Sequence, residues 1–125
     1  KNMLPQNLTK LNTLLTKDLN KILQQEQDNE NRVNMYGVGE YWVAFQRSAY
    51  LLECITHKKE DRIVLHLDNY PFPVVMHNIH YNKVNDMCRS HIATKKTLEF
   101  LQLTTTPINE QSYIKWFRKV LKDNE

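Results

Sequence analysis

Two glycines, Gly37 and Gly39, are all that this chain of 125 residues contains, and they stand two positions apart. That scarcity removes whole classes of function. A Walker A loop or a dinucleotide fingerprint needs several residues whose backbone can approach phosphate closely, and two glycines cannot build one. The pair also marks where the backbone departs from regular structure, because glycine inside a strand-like run signals a bulge or a close backbone approach. Val33, Met35 and Val38 form such a run around it, and we read a short strand there.

The flanking sequence is amphipathic. From Leu4, the residues Leu8, Leu11, Leu15, Leu19 and Ile22 recur every three or four positions, which predicts a helix over about residues 4–27. Asp18 falls where a strict heptad needs an apolar residue, so the stripe suits packing on its own domain better than a coiled coil. After the glycines, Trp42, Phe45, Ala49 and Leu52 share a helical face that Tyr41, Ala44, Leu51 and Ile55 broaden. Glu40 precedes this segment and Lys58 and Lys59 follow it, the charge order a helix dipole prefers, so a buried helix beginning at Glu40 is expected. Ile63, Leu65 and Leu67 alternate as a strand. Turn chemistry at Asp68–Pro71 leads to a second strand over Phe72–Met76.

Asn78 is placed to cap a helix from about Ile79 to His91. Leu98, Phe100, Leu101 and Leu103 suggest one more strand. Thr106 and Pro107 offer a cap and a first-turn proline for a last helix over about 107–123, whose apolar face is Tyr113, Trp116, Phe117, Val120 and Leu121. The expected order is α-β-α-β-β-α-β-α: one α+β domain over residues 1–125, a small mixed β-sheet covered by helices. With 41% hydrophobic and 25% charged residues, a single packed core is expected rather than disorder.

No apolar run approaches the roughly 20 residues that cross a bilayer, and the first residues lack the pattern of a secretory signal. Cys54 and Cys88 read as two buried reduced thiols, so a cytoplasmic protein without membrane contact is expected. The spacings Cys54-x-x-His57, Cys88-x-x-His91 and His77-x-x-His80 have the form of metal-ligand pairs. Core cysteines and surface histidines explain them as well, and neither metal nor cofactor is expected. No nucleophile, acid and base can be placed together by spacing, so no enzymatic activity is expected. A net charge of +3 is a mild basic excess. The basic outer face of the last helix, with Lys58, Lys59, Arg62, Lys95 and Lys96, is a candidate phosphate-contacting surface. Tyr41 and Trp42, with Phe45, are candidates for stacking on bases or for core packing.

The stretch Tyr36–Ala49, YGVGEYWVAFQRSA, resembles the opening of the N-terminal mismatch-recognition domain of MutS DNA mismatch-repair proteins. There a strand ends in a Gly-Asp-Phe-Tyr-Glu-x-Phe segment and a helix succeeds it. Gly39 matches the motif glycine, Glu40 its Asp, Tyr41 its first Phe, Trp42 its Tyr and Phe45 its last Phe; Val43 stands at the Glu. Phe72-Pro73-Val74-Val75 with His80 is similar to the strand and helix that come next, so the resemblance spans about residues 33–104. It implies a small mixed α/β unit with a preceding helix, and a Tyr41 placed where the family wedges a Phe at a mismatched base pair. Apolar Val43 cannot make the hydrogen bond to a base that the family's Glu makes. The expected function is therefore a non-catalytic binding module that contacts duplex DNA weakly, with Tyr41 and Trp42 at the site and lysines holding phosphate. The alternative is a protein-interaction or structural module with an unidentified protein partner, as a monomer or weak homodimer.

Overall fold

A computed structural model describes residues 5–124; Leu4, the expected start of the first helix, lies outside them. The chain opens with α1 (Pro5–Thr13) and α2 (Leu19–Gln27), joined by a π-helical turn at Leu14–Asp18. The turn has a local cause: the Thr16 hydroxyl donates to the carbonyls of Asn12 and Thr13 at 2.8 and 3.3 Å, competing with the backbone for those acceptors. Asp18, its last residue, is exposed, while Leu19, Ile22 and Leu23 beyond it are buried.

Past α2 the chain runs through three repeats of strand, strand, helix: β1 (Arg32–Val38), β2 (Tyr41–Phe45) and α3 (Gln46–Thr56); β3 (Arg62–Leu65), β4 (Val74–His80) and α4 (Tyr81–Ser90); β5 (Ile92–Lys96), β6 (Phe100–Thr104) and α5 (Glu110–Asp123). The strands form one sheet in the order β3-β4-β2-β1-β6-β5. The fold is α+β in a single domain, as expected, but every pairing is antiparallel rather than mixed.

The largest correction falls at the glycines. The helix expected from Glu40 begins only at Gln46, and Tyr41–Phe45 is a strand paired with β1. Gly39 has φ +62° and opens the two-residue loop between Val38 and Tyr41, the conformation that primed hairpin turns require. Helical spacing misled because β2 is a central strand covered on both faces, so its run YWVAF is apolar without alternation. Trp42 and Ala44 join the cluster of Val33, Met35, Leu51, Leu52, Ile79, Val84, Met87, Leu101 and Leu103 under α3 and α4. Val43 and Phe45 face Val38, Val74, Met76, Leu19, Ile22 and Leu23 under α2. A third cluster, Ala49, Val75 and Val120, docks α5 beside α3.

Smaller corrections fall at helix caps and strand ends. Asn78 lies inside β4 opposite Val43, and its amide donates to the Asp61 carbonyl at 3.0 Å. The cap of α4 is His80, whose Nδ1 accepts from the Asn82 N–H at 3.3 Å. β3 stops before Leu67, and β4 starts after Phe72. Leu98 sits in the β5–β6 turn rather than in a strand. Asn109, not Thr106, caps the last helix, by accepting from the Ser112 N–H at 2.9 Å. Strand β5 is an addition to the expected order: all five of its residues are exposed, so no buried face reveals it in the sequence.

A candidate nucleic-acid interface

Strand alternation sends Tyr41 and Trp42 to opposite faces of the sheet, so the two cannot stack as one pair. Tyr41 meets the His80 ring edge-on, with centroids 5.4 Å apart, and His80 in turn lies 4.6 Å from the Tyr81 ring. His80 Nε2 stands 3.6 Å from the Glu40 carboxylate, which ties this aromatic group to the glycine turn. Trp42, on the other face, packs against the core cluster and lines a groove of about 260 Å³. Across that groove lie Lys96 and Leu98 of the β5–β6 hairpin, Tyr81 and Asn85 of α4, and Lys10.

The glycines make this end of the molecule compact. A Cβ on Gly37 would stand 3.2 Å from the Leu98 carbonyl, and the Gly37 N–H donates to the Glu99 carbonyl at 2.8 Å, drawing the hairpin turn onto β1. A Cβ on Gly39 would fall 2.0 Å from the Asn7 side chain, so α1 also closes against the turn.

The candidate cations do not all gather there. Lys58, Lys59 and Arg62 lie at the β3 edge and Lys95 and Lys96 on β5, the opposite edge, five strand spacings or about 24 Å away. Arg62 is engaged inward: its guanidinium donates to Glu53 Oε1 at 3.0 Å and lies 3.7 Å from the Asp123 carboxylate. The same Glu53 oxygen accepts from Trp116 Nε1 at 3.1 Å, so the group joins β3, α3 and α5. His77 is fully buried beside it. Its Nε2 donates to the Lys58 carbonyl at 2.9 Å, and burial holds its pKa below 6.5. Such a sealed imidazole holds the fold together rather than meeting a ligand.

The cysteines depart from expectation: Cys54 is exposed and Cys88 half-buried, and both are free thiols. No group of three or more His, Cys, Asp or Glu side chains is placed to hold a metal ion among the described residues. Nor is any helix among them long and apolar enough to cross a membrane. A larger cleft of about 520 Å³ lies between the π-turn and the β1–β6 strands, beside Leu14, Tyr36 and Phe100. Its rim balances Lys10 and Lys21 against Asp18 and Glu99, so it selects no charge, and the smaller groove is the better match to a polyanion.

Sequence reasoning missed Tyr81, Asn85, Leu98 and Lys10 as neighbours of Trp42. They come from three separate elements, and only the hairpin at the glycines brings those elements together. No family model matches the chain, and neither the curated proteins nor the solved structures gave a match.

Proposed function

We propose that this chain is a non-catalytic binding module that contacts duplex DNA weakly through the end of the sheet bearing the glycine turn. The observation that carries the reading is the groove in which Trp42 from β2 and Lys96 from β5 face exposed Tyr81 and Leu98. Aromatic planes beside a lysine are the elements with which proteins hold bases and backbone phosphate together. The resemblance to the mismatch-recognition domain expects a helix after the glycines, whereas a hairpin stands there, so Tyr41 enters the reading by its own place on the strand leaving the same turn. With Val43 at the Glu position, the hydrogen bond to a base that the family uses is absent, so contact by shape and charge is the form expected here.

Fluorescence anisotropy with a labelled duplex, matched or carrying one mismatch, tests this. Binding at low salt should weaken about tenfold in Tyr81→Ala and in Tyr41→Ala, the loss expected of one aromatic contact to a base. Lys96→Gln should lower the salt dependence by about one counterion. Absence of binding by the unaltered chain at low salt would remove the reading. A second reading rests on Ile92 and Leu98, 73% and 96% exposed on the β5–β6 hairpin, which suit a protein partner or a second copy. A mass that rises with concentration in sedimentation, without affinity for DNA, would favour it.

A further inference from the structure

The outer face of α5 lies apart from the groove. Lys115, Arg118, Lys119 and Lys122 occupy positions i, i+3, i+4 and i+7 and are all exposed, so they form one stripe about 10 Å long. Amphipathic helices often carry lysines outward, but here the acids of the helix stand only at its two ends. From Gln111 to Lys122 there is no Asp or Glu. Glu110 is held by both guanidinium nitrogens of Arg47, the second at 2.8 Å, and Asp123 lies 3.7 Å from Arg62. Both carboxylates are thus paired with arginines of other elements, and both stand at the ends of the stripe rather than within it.

We infer that this stripe is a second phosphate-contacting surface, which holds the backbone of a DNA strand at a place separate from the groove. Phosphates succeed one another every 3.4 Å or so along the axis of each strand, so the stripe spans about three of them. A lipid surface fits less well. Membrane-surface helices bury an apolar face in the headgroups, and the apolar face of α5, with Trp116, Phe117, Val120 and Leu121, is packed on the domain itself. The inference shares with the reading above only the premise that the partner is DNA.

The test is salt-dependent anisotropy of a short labelled duplex with the whole chain. Three double variants are compared: Lys115→Gln with Lys119→Gln, Arg118→Gln with Lys122→Gln, and, as a control of equal charge, Lys17→Gln with Lys21→Gln. Each α5 pair should reduce the slope of log affinity against log salt by about 2, and the control should leave it unchanged. Thermal unfolding should match the unaltered chain in all three, since these side chains are exposed. Unchanged slopes in both α5 pairs, or an equal fall in the control, would overturn the inference while leaving the groove reading intact. Lower slopes together with no effect of Tyr81→Ala and Tyr41→Ala would uphold the stripe and refute the groove. Binding to anionic vesicles but not to DNA would refute both.

Discussion

Removing the Glu26 carboxylate should cost the fold about 4 kcal/mol. Glu26 is 2% exposed, and four donors converge on it: the Ser48 N–H at 2.7 Å, the Ser48 hydroxyl at 2.7 Å, and the amides of Asn29 and Asn34, both at 3.2 Å. The Ser48 N–H lies in the first turn of α3, whose preceding residue Phe45 supplies no side-chain cap, so Glu26 caps that helix from across the core. In Glu26→Ala the Ser48 N–H and the Asn34 amide lose their acceptor at about 1 to 3 kcal/mol each, while the Asn29 amide keeps the Arg32 carbonyl at 2.7 Å, and the loss is partly offset because a buried charge is also removed. At an m value of about 1.5 kcal/mol per molar, the urea midpoint should fall by about 2 to 3 M, monitored by the fluorescence of Trp42 and Trp116. Glu26→Gln keeps the volume and one oxygen but sets an amide N–H₂ against donors, and should cost about 1 to 2 kcal/mol. Burial holds the Glu26 carboxyl above 4.5, so the folded chain keeps this proton to a higher pH than the unfolded chain does. The stabilisation linked to that proton is complete below 4.5 and is lost as pH rises through the folded value, so the gap between the unaltered chain and Glu26→Gln should narrow over that range. An alanine variant that loses less than about 1 kcal/mol, or a glutamine variant as damaged as the alanine one, would refute the capping argument.

The same geometry sets three further outcomes. Gly39→Ala should lose about 1 to 2 kcal/mol or more in thermal unfolding, because φ is +62° and the new Cβ would meet the buried Asn7 side chain. Trp116→Phe should lose about 1 kcal/mol in urea denaturation: the ring packing survives, but Glu53 Oε1 loses the indole N–H and keeps only Arg62. His77 is neutral in the folded chain because burial depresses its pKa, whereas the unfolded chain protonates near 6.5. Its contribution is therefore full above 6.5 and lost as pH falls through the folded value. His77→Gln should flatten the fall of the urea midpoint below pH 6.5, and an unchanged slope would count against the burial argument.

The parts of the fold that were legible in the sequence were those with one buried face. α5 shows its stripe because Val120, Trp116 and Phe117 turn inward while the lysines stay in water. The N-terminal helix was legible for the same reason, although its π-turn was not, since the Thr16 hydroxyl bonds that accompany it leave no mark on the apolar pattern. β2 reads as a helix because both its faces are covered, and β5 escapes notice because neither is. The candidate site was half legible: Tyr41, Trp42 and Lys96 stand out in the sequence, but Arg62 is committed to Glu53, and Lys58 and Lys59 lie at the far edge of the sheet.

The chain by itself determined that no glycine-rich phosphate loop can form, that one α+β core forms, and that a basic helix lies near its C-terminal end. These depend on composition and on periodicity within single segments, where neighbours along the chain are neighbours in space. The tertiary structure decided that Tyr41 and Trp42 part to opposite faces, that Trp42 and Lys96 line one groove, and that the carboxylates at the two ends of α5 pair with Arg47 and Arg62. Those depend on pairings between residues far apart in sequence, whose register is set by the shared burial of both sheet faces, and no single segment carries that information.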